Sequence, residues 1–227
     1  MWELIRAGGW LMLPIVMCSV VMLVIIIERG KKLRLEEVAP RHLREQMVTR
    51  LRESGEIDRT SLMNVKEKTP LGDILATGLL YRKYGLESMT MHMQNRASVQ
   101  VHALEKNINM LGTIGAIAPL LGLLGTVLGI IASFLAVTDG AMKDPAMLAS
   151  GVSQALITTA GGMFVAIPAL MAYRYFQRRI VDINARFETE AGLLLQELYD
   201  YDLLNEQAKP NSPAIKTAKA MQILEDL

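Results

Sequence analysis

This sequence predicts an all-α integral membrane protein with three transmembrane helices, its N-terminus outside, and three observations lead there. Of 227 residues, 24 are Lys or Arg and 23 are Asp or Glu, for a net charge of +1. None of those charges falls in residues 7–27, 107–138 or 145–173, stretches of 21, 32 and 29 residues. At about 1.5 Å of rise per helical residue, each stretch is long enough to cross a hydrocarbon core of about 30 Å. The polar remainder is dense in charge, carries helical periodicity and shows no period-two strand pattern. A near-neutral balance without a clustered basic surplus argues against nucleic acid as a partner.

The first span covers residues 10–27 and is rich in Val and Ile. It lacks the basic n-region and small-residue cleavage site of a signal peptide, so it reads as a retained anchor. Arg29, Lys31, Lys32 and Arg34 follow it, against Arg6 alone before it. The positive-inside bias therefore places the N-terminus in the periplasm and residue 30 in the cytoplasm, with Trp2 and Trp10 at the outer interface. Spans two and three exceed the roughly 20 residues a bilayer needs, so both are expected to continue into the cytoplasm. Only residues 139–144 separate them, a periplasmic turn containing Gly140, with Pro145 opening the third helix. So short a turn makes the two helices an antiparallel hairpin. Arg174, Arg178, Arg179 and Arg186 after span three agree with a cytoplasmic end.

Residues 29–106 form the cytoplasmic segment, and helices are expected throughout. Leu43, Met47 and Leu51 share a face that ends near Gly55. Thr69 and Pro70 make an N-cap and first helical residue, and Gly85 closes that helix. Ser88 is expected to cap a run that enters span two at Lys106 without a break. After span three, Ile180, Ile183, Phe187, Leu194 and Leu198 carry a helix through residues 174–204. Residues 205–227, with Pro210 and Pro213, read as a flexible tail. The charges of this polar half are expected to form a solvated surface, with the Arg29–Arg34 cluster able to touch anionic headgroups.

The spans carry two polar patterns. In span two, Gly112, Gly115, Pro119, Gly122, Thr126, Gly129 and Ser133 recur at alternating steps of three and four, a heptad seam of small residues. Lipid supplies no hydrophobic drive between helices, so close backbone approach at small residues is a main route to packing. The seam serves either packing within the chain or contact with neighbouring subunits around a central passage. In span three, Ser150, Gln154 and Thr158 form a stripe, with Thr159 beside it. An unpaired amide in hydrocarbon costs a few kcal/mol, so Gln154 should face protein or water. Hydroxyls and amides have no pKa near neutrality. If the protein conducts protons, the titrating group belongs to another chain.

Enzyme chemistry finds no footing. There is no Gly-rich phosphate loop, no nucleophile–base order and no carboxylate pair in an apolar setting. Cys18 is the single cysteine, and His42, His92 and His102 are scattered, so no disulfide, metal centre or cofactor site is expected.

The hairpin, residues 118–130 (APLLGLLGTVLGI), then 151–162 (GVSQALITTAGG) and 166–169 (AIPA), closely resembles the MotA/TolQ/ExbB proton-channel family. Three spans resemble its ExbB and TolQ branch. The resemblance implies a cytoplasmic-membrane subunit of a pentameric ring around a dimer of a single-span, ExbD/TolR-like partner whose membrane aspartate carries the proton. Proton flow would then power a cell-envelope or outer-membrane transport process. On this resemblance Thr126 and Thr159 match lumen threonines, and Gln154 stands where ExbB and TolQ usually have glutamate, which suggests a paralogous branch. The expected ion pathway is thus Thr126, Gln154, Thr158 and Thr159. The alternatives are a non-conducting oligomeric scaffold and a sodium-driven member of the family.

Overall fold

The structure, a computed structural model, describes residues 8–54, 58–138 and 145–208, and every regular element in them is helical. Trp2, Arg6, Gly55, the turn at 139–144 and the tail from 209 onward lie outside the described residues. In chain order the helices are α1 (Met12–Lys32), α2 (Leu35–Val38), α3 (Leu43–Ser54), α4 (Arg59–Lys68), α5 (Pro70–Tyr81), α6 (Leu86–Glu105), α7 (Ile108–Thr138) and α8 (Pro145–Ala208), with a 3-10 turn at Arg82–Tyr84. Three stretches are long and apolar enough to cross a membrane: Met12–Lys32, one within Leu86–Leu135 and one within Ala149–Leu203. They correspond to the three charge-free stretches of the sequence. The chain divides into two compact units, residues 1–34 with 103–181, and residues 35–102 with 182–227.

The first unit holds the three spans. Large apolar side chains point outward along all of them, as they must where the solvent is lipid: Met17 on α1, Leu120 and Phe134 on α7, Phe164 and Met171 on α8. Its interior is made of small and medium residues, including Ile15, Met22, Ile25, Leu111, Ala118, Ala155 and Ala169. At the end of α1 the basic cluster does more than meet headgroups. Arg29 is only 4% exposed and directs Nη1 to the Leu104 carbonyl at 3.4 Å. Arg179 similarly reaches the Leu33 carbonyl at 3.4 Å. Cations placed on carbonyls at helix C-termini offset the partial negative charge there.

Two local expectations about α6 and its junction with α7 need correction. The run into span two is not continuous: Asn107 takes φ of +67° and separates α6 from α7. Asparagine is among the few residues that tolerate the left-handed region, which is why a break fits here without Gly or Pro. Nor does Ser88 cap α6. The helix begins two residues earlier, with Gly85 at φ +96° ahead of it and the Met89 amide bonded to the Gly85 carbonyl at 3.1 Å.

In the second unit α5 is buried from Leu71 to Gly78 and packs on α4. Its start follows the sequence expectation, with the Gly72 amide donating to Thr69 Oγ1 at 3.0 Å and Pro70 at the first position. Met89 and Met93 of α6 close over Gly78. Along α8, Ile180 closes the first unit, and Ile183, Phe187, Leu194 and Leu198 are all buried in the second, as their spacing predicts.

The expectation of a solvated charged surface fails at two places in this unit. Asp73 is 2% exposed and accepts from Arg96 Nε and Gln100 Nε2, with Lys66 Nζ 3.9 Å away. Arg44 forks between Glu190, at 2.9 Å, and Glu197 of α8. Burial alone would lower the Arg44 pKa, but the hydrogen bonds to Glu197 and Glu190 outweigh it and hold the guanidinium above its ordinary range. His92 of α6 stacks on Tyr81 with ring centroids 3.6 Å apart.

Candidate functional site

The sequence's small-residue seam is the surface on which α7 meets α8. A Cβ added at Gly112 would stand 3.2 Å from the Tyr173 ring, and one at Gly115 would run into Leu170. One at Gly122 would stand 3.0 Å from both the Thr158 carbonyl oxygen and Thr159 Cα, and one at Gly129 would stand 3.1 Å from Ala155 Cβ. Ser133 lies against Gly151 and back-bonds to the Gly129 carbonyl at 2.9 Å. As α7 advances from 112 to 133, its partners on α8 recede from 173 to 151, so the helices run antiparallel. Gly115, Gly122, Gly129 and Ser133 are buried, while Gly112, Pro119 and Thr126 are half-buried. Of the two roles open to the seam, the fold uses it within the chain. Bulky apolar side chains are left on the outer faces.

The four polar residues of the expected ion pathway lie around this contact. Thr159 donates its hydroxyl to the Gly122 carbonyl across the interface at 3.0 Å. Thr126 is half-buried and bonds to the Leu123 carbonyl of its own helix at 2.6 Å. Thr158 is 1% exposed, back-bonds to Ala155 at 2.8 Å and to Gln154 at 3.1 Å, and fills the space above Gly125. Gln154 meets the start of the chain: a Cβ at Gly9, whose φ is +71°, would collide with the Gln154 amide. Gly8 and Met12 approach Thr158 and Gly161 in the same corner. Within one chain, then, Thr126 and Thr159 remain half-buried, Thr158 is a core residue, and Gln154 abuts the N-terminal segment.

No acid or base interrupts this arrangement. From Ile108 to Thr138 of α7, and along α8 from Pro145 until Arg174, there is no Asp, Glu, His, Lys or Arg. A profile of the MotA/TolQ/ExbB proton channel family matches residues 66–189, more than half of the chain. The chain belongs to this family.

Among its relatives are the ExbB-like 1 protein of Synechocystis sp., 31% identical over 204 residues that cover 85% of this chain and 78% of that one. The biopolymer transport protein ExbB of Salmonella typhimurium is 31% identical over 61% of this chain and 57% of its own. The Tol-Pal system protein TolQ of Haemophilus influenzae is 36% identical over 55% of this chain and 52% of its own. The chain thus spans little more than half the length of the latter two. Family membership and three membrane-length apolar helices make this MotA/TolQ/ExbB member an inner-membrane protein, and its family is one of transport proteins.

Sequence reasoning missed the contact between Gln154 and Gly9. A Gly-Gly pair ahead of an apolar helix was the available signal, since only a residue without Cβ lets an amide side chain approach the backbone so closely. It also missed the buried pairs of the polar half, because no spacing rule links Arg44 to Glu190 or Asp73 to Arg96.

Proposed function

We propose that this chain is a ring-forming subunit of an inner-membrane motor of the ExbB/TolQ type, driven by the proton-motive force. Its ring, a pentamer by family analogy, surrounds an ExbD/TolR-like single-span partner whose membrane aspartate carries the ion, and the motion powers a cell-envelope or outer-membrane transport process. The observation that carries this reading is the absence of any titratable acid or base in α7 and the membrane part of α8, in a member of a proton-channel family. Hydroxyls and an amide can orient water and a partner's acid but cannot themselves load and release a proton near neutral pH. Thr126 and Thr159, half-buried in the single chain, are the residues assigned to the lumen, with Gln154 beside them at the outer end. Thr158 contributes packing. Because the glycine seam is occupied within the chain, subunit contacts fall to the bulky outer faces of the helices.

The test is co-expression with an ExbD-like partner and an assay of the envelope process it supports. Thr126→Val and Thr159→Val keep side-chain volume and remove the hydroxyl, so both are expected to lose transport while still reaching the membrane. Full activity in both variants refutes the lumen assignment. Gln154→Glu restores the acid usual in ExbB and TolQ and is expected to be tolerated. An uncoupler separates this reading from an inert scaffold, which keeps working when the gradient collapses. Replacing the proton gradient by a sodium gradient identifies the ion.

A further inference from the structure

Within the first unit, the place where α7 begins and α8 leaves its charge-free stretch holds a cavity of about 440 Å³. Its floor is apolar, formed by the buried Ile108 and Ile180. Its walls carry Arg174, Gln177 and Arg178 from α8, with Asn109 and Glu105 opposite. Arg174 and Arg178 are one helical turn apart, both exposed, and among the described residues neither has an ion-pair or hydrogen-bond partner. Gln177 gives one amide hydrogen to the Tyr173 hydroxyl at 2.7 Å, which fixes its head beside them. Two guanidiniums one turn apart are placed to hold the oxygens of a single phosphate, with geometric specificity that a lysine pair lacks. From these residues we infer that the cavity binds the phosphate of an anionic lipid headgroup.

Three features select a lipid over a free phosphate compound. The cavity lies where the last uncharged residue of the span, Tyr173, gives way to Arg174, the depth at which inner-leaflet phosphates sit. Basic pockets between transmembrane helices on the cytoplasmic side have this chemistry. Glu105 on the rim disfavours a doubly charged free phosphate, yet accepts hydrogen bonds from the hydroxyls of a singly charged phosphodiester such as phosphatidylglycerol. The apolar floor suits the glycerol and upper acyl chain. The inference needs only that this end of α8 meets the inner leaflet, and does not depend on the motor reading.

Native mass spectrometry of the detergent-purified full chain tests it. The probes are dioleoylphosphatidylglycerol, inorganic phosphate and glycerol 3-phosphate, and the proteins are wild type, R174Q/R178Q and the charge-matched control R50Q/R52Q from exposed positions of α3. Wild type and control are expected to retain phosphatidylglycerol equally, and R174Q/R178Q to bind it roughly 25-fold more weakly, at about fivefold per basic group lost at a membrane surface. The single variants R174Q and R178Q should each show about fivefold, which keeps the test open should the double variant fold poorly. Arginine-dependent binding of inorganic phosphate or glycerol 3-phosphate without the lipid would support the site and reassign its ligand to a soluble phosphate. Equal lipid affinity in all proteins, or no binding of any probe, overturns it.

Discussion

Gly162 and Gly192 lie on the same helix and should respond oppositely to one added methyl group. At Gly162 a Cβ would stand 2.5 Å from the Ala118 carbonyl oxygen and 3.2 Å from Gly122 Cα, both backbone atoms of α7 that cannot rotate away. The helices must separate by a sizeable fraction of an ångström, which also stretches the neighbouring Thr159–Gly122 hydrogen bond, now 3.0 Å. Overpacking of this kind costs about 1–3 kcal/mol, and an interhelical hydrogen bond in a membrane is worth about 0.6 kcal/mol. Alanine recovers about 1 kcal/mol of helix propensity. Gly162→Ala is therefore expected to lose about 0.5–2.5 kcal/mol. Gly192 is exposed with nothing within 4 Å of the added atom, so Gly192→Ala should gain up to ~1 kcal/mol. Unfolding of the detergent-solubilised chain by titrated SDS, followed by far-ultraviolet circular dichroism, reads the two against wild type. A Gly162→Ala protein as stable as wild type, or a Gly192→Ala protein that falls with it, refutes the account of how α7 and α8 touch.

Three further variants probe the polar half. Arg44→Ala strands Glu190 and Glu197, whose side chains are 13% and 31% exposed, and is expected to destabilise by about 2–4 kcal/mol in the same unfolding assay. Arg44→Lys, one ammonium in place of a fork, should fall between the two. Asp73→Asn keeps the shape of a residue that is 2% exposed but removes the charge facing Arg96. Because Arg96 is itself 39% exposed and can turn to water, the loss should stay near 1–3 kcal/mol, read as an earlier SDS midpoint.

The three spans were legible because the bilayer imposes a length and a composition that no other environment does. Charge-free stretches at residues 7–27, 107–138 and 145–173 reappear as α1, α7 and the first part of α8. Thr69-Pro70 and the periodic Ile183, Phe187, Leu194 and Leu198 were equally readable, since capping and burial act within a few residues. The seam of α7 announced close contact but not with what, for a glycine face serves a partner within the chain and one outside it alike. The α6–α7 break was hidden because asparagine enters the left-handed region without the signal that Gly or Pro provides. The pairs of Arg44 with Glu190 and Glu197 join residues about 150 positions apart, and such matches depend on tertiary placement.

The hydrogens of Thr126 and Thr159 already point at main-chain carbonyls, those of Leu123 and Gly122. What each oxygen still offers is lone pairs. In the proposed bore such a wall receives a visitor that brings its own hydrogen, a hydronium or an undissociated acid, and gives nothing to a bare carboxylate. An aspartate seated there would hold its proton more tightly than in water. Discharge would then have to wait until that residue turns away, so a wall that never titrates could still dictate at which angle of the stroke the load is let go.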